Sequence, residues 1–192
     1  MDFNDNFDRR VPEKGDLMIS EPFLPDPNFE RTVILVCEHN EQGSFGFVLN
    51  KPSLLKLHDV MEDVDGFDAS IYIGGPVQQD TLHFLHRIGN KLEGGEAINN
   101  EVQWGGNFEQ LKIMIQQGQV TEKDVVFFLG YSGWGEGQLM NEINEKSWIV
   151  HKSVTPDQVF DKDPKSLWRD VLKEMGGKYK MISNYPTDPR LN

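Results

Sequence analysis

The apolar positions of this chain fall into two patterns. One is the uninterrupted run. "TVILVC" (Thr32 to Cys37) and "DVVFFLG" (Asp124 to Gly130) are apolar nearly throughout, as strands buried on both faces are. "DLMIS", "FGFVLN", "ASIYIGGPV" and "SWIVHKS" predict four further strands. "EHNEQGS" reads as a hairpin loop between "TVILVC" and "FGFVLN", with Gly43 free to take a positive φ. "TLHFLHRI" alternates well enough to be the hairpin partner of "ASIYI" across a Gly-Gly-Pro turn. The stretch "GNKLEGGEAINNEVQWGG" is rich in Gly and Asn and reads as loop, with a short strand at "VQW".

The other pattern has the helical period. In "SLLKLHDVMEDV", Leu54, Leu57, Met61 and Val64 recur at near-helical spacing behind a capping Ser53. "NFEQLKIMIQQG" opens on Asn107, has Gln110 three residues on as in a capping box, and stops at Gly118. A helix from about Gly135 to Lys146 is predicted after the second long strand. "TPDQVF" and "DPKSLWRDVLKEMGG" each pair a cap residue with Pro at the first helical position, and the second ends at Gly176. The tail "KYKMISNYPTDPRLN" has room for one edge strand. Three prolines make "EPFLPDPNFER" an irregular connection. Helices and strands are interspersed, yet several strands pair through hairpins. The predicted class is therefore α+β rather than doubly wound α/β.

Composition narrows the function. The chain has 192 residues, enough for one sizeable core. Residues 1–14 read as a flexible polar arm rather than a secretory signal, and residues 15–192 as a single domain. No run of apolar residues is long enough to span a membrane. The lone Cys37 forms no internal disulfide and suits a reducing cytoplasm. A formal charge of −12, with no basic cluster to offset it, argues against binding nucleic acid or an acidic membrane surface.

Three loci could carry chemistry. "GYSGWGEGQL" (Gly130 to Leu139) outlines both a serine elbow and a phosphate loop, but fails the first at Trp134 and the second at Gln138. That leaves a structural or ligand-binding turn ahead of a catalytic Ser132. In "CEHN", Cys37 and His39 share a strand face and could make a thiolate pair only if the strand bends. Cys37 closes an apolar run and reads as a buried hydrophobe. Glu38, His39 and Asn40 suit ligand binding and loop solvation equally. His83 and His86 fall on opposite faces of a strand, so no metal pair is expected there.

In order and spacing, "DPNFERTVILVCEHNEQGSFGFVLNKP", "YIGGPVQQDTLHFLH" and "GYSGWGEGQLMNEINEKSW" resemble the AlgH/YqgE family of bacterial proteins. The matching segments run from about Leu17 to Trp148, and "DPKSLWRDVLKEMGG" and "DPRLN" also look like the family. The resemblance implies a mixed, largely antiparallel, bifurcated sheet curled into a pseudo-barrel with flanking helices. It brings no established enzymatic activity or cofactor, and one branch is named as a regulator of alginate synthesis. Carried over by position, the candidate ligand-binding residues are Glu38, His39, Asn40, Asn50, Gly74, Gly75, Pro76, His86, Tyr131, Gly133, Trp134 and Gln138. The chain departs from the family at Met140, where an acidic residue is usual. Glu142 lies on the same helix, about 200° further round.

The resulting expectation is a cytoplasmic, non-enzymatic protein that binds a small molecule or protein partner, with no cofactor and no metal. Its polar loops are expected to converge on one cleft. The alternatives are a small hydrolase or nucleotide-using enzyme centred on His39 with Cys37 or Ser132, and a DNA-binding transcriptional regulator.

Overall fold

A computed structural model describes residues 10–188 and residue 190. Residues 1–9 of the expected arm lie outside that range. Within it, Arg10 is tied by its guanidinium to Asp16, and Lys14 by its ammonium to Glu96.

Ten strands and six helices are present among the described residues. The strands are β1 (Leu17–Ser20), β2 (Val33–Asn40), β3 (Gly43–Val48), β4 (Pro52–Lys56), β5 (Ser70–Ile73), β6 (Val77–His86), β7 (Glu96–Ala97), β8 (Gln103–Trp104), β9 (Val125–Gly135) and β10 (Trp148–His151). The helices are α1 (Leu57–Val60), α2 (Phe108–Gln116), α3 (Gln138–Asn144), α4 (Pro156–Phe160), α5 (Leu167–Met175) and α6 (Gly177–Ile182). The class is α+β. The sheet runs β10-β1-β2-β3-β9-β6-β8-β7 and is antiparallel except where β5 joins β9 in parallel.

The expected bifurcation is a fork on β9. One edge of β9 pairs with β5 through Phe127 to Leu129, then with β3 through Ser132 to Gly135. The other edge pairs with β6. The sheet is not closed into a barrel. Its ends approach where Asn99, just past β7, donates to the carbonyl of Val154, just past β10, at 3.1 Å. No ladder joins them.

Alternation divides the core into three. Leu35 and Cys37 of β2 and Phe128 of β9 face a central cluster roofed by α4 and α5, whose Val159, Leu167, Trp168 and Leu172 are buried in it. Ile34 and Val36 face the opposite way, against Leu139 and Ile143 of α3. Val125 and Phe127 face a third cluster, covered by Leu111, Met114 and Ile115 of α2. These period-2 switches are why the two long apolar runs show no polar face.

Several expectations are corrected. "SLLKLHDVMEDV" is not one helix. Its first half is β4, paired with β5 (Pro52 opposite Tyr72, Lys56 opposite Ser70), and only the single turn α1 is helical. Pairing to β5 outweighs local helical spacing, and Leu54 is left fully exposed. The Ser53 hydroxyl accepts from the Leu55 N–H instead of capping a helix. "ASIYI" and "TLHFLHRI" are not a hairpin, because β9 lies between them. β9 runs straight through "GYSGWG", so the turn falls at Glu136-Gly137 and α3 starts only at Gln138.

Asn107 caps α2 through the Gln110 N–H at 3.0 Å, but the Gln110 side chain reaches Glu93 and Lys91 rather than closing a box. α5 begins at Leu167, three residues beyond Pro164, and the tail forms α6 in place of an edge strand. The β2–β3 hairpin is tighter than expected. β2 extends to Asn40, so Glu41 and Gln42 alone form the loop.

Candidate functional site

The link between β5 and β6 has only three residues, Gly74, Gly75 and Pro76, yet it must step across β9. It does so backbone on backbone. A Cβ on Gly74 would sit 2.4 Å from the Gly130 carbonyl oxygen, and one on Gly75 would sit 2.2 Å from the Tyr131 carbonyl. A Cβ on Gly130, where φ is +67°, would meet the Val77 oxygen at 2.7 Å. The Gly-Gly-Pro and Gly-Tyr-Ser-Gly stretches are thus two halves of one crossing. Ser132 seals it, since its fully buried hydroxyl donates to the Gly74 carbonyl at 3.0 Å. The Ser132 centre is thereby overturned, because its Oγ faces a carbonyl rather than a base or solvent.

The cysteine centre fares no better. β2 carries a bulge between Val36 and Glu38, and Cys37 faces inward on the same side as Leu35. Cys37 is 1% exposed, and its Sγ approaches only the Leu35 carbonyl, at 3.8 Å. Burial pushes the thiol far above its ordinary pKa, so it stays protonated and non-nucleophilic. His39, across the bulge, sets its Nδ1 2.6 Å from Ser44 Oγ.

Gln138 and Trp134 belong to a structural knot. Glu142 Oε2 accepts from the indole N–H of Trp134 at 2.9 Å and from that of Trp148 at 2.8 Å. Its Oε1 accepts from Gln138, whose own carbonyl oxygen accepts from the Gly135 N–H. Trp134 also stacks on Phe29. This knot clamps α3 to the end of β9. The acid on which it depends is Glu142, and Met140 packs against the neighbouring core.

Two further candidates are structural. His86 is fully buried, with Nε2 donating to the Gly105 carbonyl and Nδ1 accepting from the Ile88 N–H. Desolvation holds its pKa below the usual histidine value. Asn50 bridges the Val33 N–H and the Arg31 carbonyl. As expected, His83 and His86 face opposite sides of β6.

What remains is a cleft of about 630 Å³ on the central face, beside the β2–β3 hairpin. Phe45, Phe47, Val77, His83, Trp104 and Tyr131 form its apolar wall, and Glu38, Asn40, Gln42 and Ser44 its polar rim. The wall is braced edge to face. Phe45 meets Trp104 at 4.9 Å and Tyr131 at 6.2 Å, and His83 meets Tyr131 at 5.9 Å. Gly133 leaves the floor open, while Trp134 borders the cleft with its indole turned into the core behind. Desolvation lowers the pKa of His83, which keeps the imidazole neutral near pH 7. On the rim, Asn40 donates to Glu38 at 2.6 Å and accepts from the Gln42 N–H.

Of the candidates, Glu38, Asn40, Tyr131, Gly133 and Trp134 come together here. His39 touches the rim through Ser44, Gly74 to Pro76 lie at the crossing, and Asn50, His86 and Gln138 are elsewhere. Phe45, Phe47 and Trp104 were not singled out from sequence, and His83 was weighed there only as a metal ligand. The Phe45/Phe47 alternation was the available sign of a half-open aromatic face. Among the described residues no cluster of His, Cys, Asp and Glu could hold a metal ion, and no helix is long and apolar enough to cross a membrane.

The comparisons with known proteins agree with one another. The AlgH-like family model (DUF179) matches residues 17–180. A UPF0301 protein of Cytophaga hutchinsonii is 48% identical over 93% of this chain and 98% of its own length. One from Chlorobium limicola is 40% identical over 97% and 98%. Among solved structures, a Corynebacterium diphtheriae protein superposes with a TM-score of 0.80 at 22% identity, covering 96% of this chain and 100% of that one. The AlgH protein of Pseudomonas aeruginosa superposes with a TM-score of 0.70 at 31% identity, covering 90% and 94%. The chain is a member of the AlgH-like family.

Proposed function

We propose that this protein is a non-catalytic binding protein of the cytoplasm, and that its regulatory output is exerted through the aromatic cleft. The observation that carries the reading is a concave wall of Phe45, Phe47, Trp104 and Tyr131 beside a rim carrying Glu38. That combination suits a planar, apolar group bearing a positive charge or a hydrogen-bond donor, presented by a small molecule or by a partner's side chain. Both candidate nucleophiles lie outside the cleft lining. A net charge of −12 favours regulation through such a ligand over direct contact with DNA.

The test is a thermal-shift screen of planar cationic and amine-bearing metabolites, followed by titration of hits against tryptophan fluorescence. A ligand at a hundred times its dissociation constant adds about 2.7 kcal/mol of stability. Replacement of Tyr131 by alanine should weaken the hit, and Trp104→Phe should remove most of the fluorescence response. A hit that binds unchanged to Tyr131→Ala would sink the assignment. Retardation of DNA that weakens steeply with salt would restore the DNA-binding alternative.

A further inference from the structure

A second cleft, of about 400 Å³, lies between the start of β2 and the entry to α5. Its lining includes Arg31, Asn50, Lys165, Trp168, Arg169 and Thr187. We propose that this cleft binds a phosphate group, free or as a monoester, through Arg31, Lys165 and Arg169.

The charge is the first argument. In a chain with 31 acidic and 19 basic residues, three cations share one small cleft. Among the described residues, none of the three forms an ion pair with a carboxylate. Instead, burial and the neighbouring charge of Arg169 pull Arg31 below its ordinary pKa, against a weaker opposing pull from Glu30. An anion seated between the two guanidinium groups would relieve that repulsion. A phosphate monoester carries about −1.5 to −2 charges at neutral pH and three acceptor oxygens, which matches a three-cation cradle.

Preorganisation is the second. The Arg31 guanidinium lies 4.6 Å over the Trp168 ring, and that indole is itself fixed by donating to the Ser20 carbonyl at 3.0 Å. One Arg31 nitrogen, Nη2, donates to the carbonyls of Tyr185 and Pro186. The Nε–H is buried without an acceptor. Asn50 holds the Arg31 carbonyl at 2.9 Å, in a backbone bend where φ is +48°. Arg31 is therefore an immobilised cation with a donor unspent, while exposed Lys165 and Arg169 are free to close from the α5 side. The Trp168 ring is occupied by Arg31, so the cleft offers no stacking platform to an aromatic ligand. The first turn of α5 borders it, and Ser166 makes no side-chain cap there.

The test uses the full chain and two probes, inorganic phosphate and glycerol 3-phosphate. Thermal melts are titrated with each at constant ionic strength against chloride. The expected result is a saturable rise in Tm beyond that of chloride. Arg169→Gln and Lys165→Gln, both exposed, should melt like the parent without phosphate and bind it about tenfold more weakly. Tighter binding of the ester would identify a phosphorylated metabolite as the natural ligand, and equal binding would identify the free ion. A rise no greater than that with chloride, or undiminished phosphate binding in both variants, would overturn the site.

Discussion

The indole N–H of Trp134 and the carboxylate of Glu142 lie 2.9 Å apart, and the same oxygen also serves Trp148. One acceptor thus holds two indoles from different strands. Glu142→Ala should leave both buried donors unsatisfied, at a cost of about 2–4 kcal/mol. Glu142→Gln retains an acceptor and should cost less than half of that. Urea denaturation followed by tryptophan fluorescence measures both. Equal, small effects would mean that the knot contributes little.

The crossing at Gly74, Gly75 and Gly130 leaves no room for a methyl group against main chain. Gly75→Ala or Gly130→Ala should cost about 3 kcal/mol or more, since neither partner is a side chain that can rotate away. Gly66→Ala is the control for left-handed backbone without crowding, because φ is +80° there and nothing lies within 4 Å of its Cβ position. It should cost about 1 kcal/mol. The difference between the two, read from denaturation midpoints, isolates the crossing.

Cys37 should resist iodoacetamide in the native protein for hours and react within minutes in concentrated guanidinium. Mass spectrometry reads the alkylation. Fast native labelling would contradict both its 1% exposure and its elevated pKa.

Acidification should destabilise the fold through His86 and His83, whose folded pKa values lie below the ordinary 6.5. Below that value the unfolded chain binds protons that the folded chain refuses. Stability is therefore complete above about pH 6.5 and declines as pH falls through and below it. A series of melts from pH 8 to pH 5 should show this decline, and His86→Gln should flatten part of it.

Much of the fold was legible from residues alone, because buried strands announce themselves. Thr32 to Cys37 and Asp124 to Gly130 could be placed from hydrophobic continuity. The "SLLKL" segment could not, because its leucine spacing fits a helix and only its partner β5 makes it a strand. The site was legible in part for a related reason. Glycines and polar loop residues mark both crossings and ligands, and sequence does not separate them. Gly74, Gly75 and Ser132 belong to the crossing, and Trp134, Gln138 and Glu142 to the α3 clamp. The wall of Phe45, Phe47, His83 and Trp104 comes from three separated segments, and only the curl of the sheet brings them together.

The placement of β9 between β5 and β6 also sets an order of events during synthesis. β5 and β6 leave the ribosome as neighbours, about fifty residues before the strand that must separate them. Left to themselves they would zip into a local hairpin, the pairing that loop-closure entropy favours. Pro76 removes a donor from the turn, and Gln78, at φ +46°, distorts the strand beyond it. Both features work against a regular hairpin between β5 and β6. The link at Gly74 to Pro76 thus spans a gap that only a strand made later can fill.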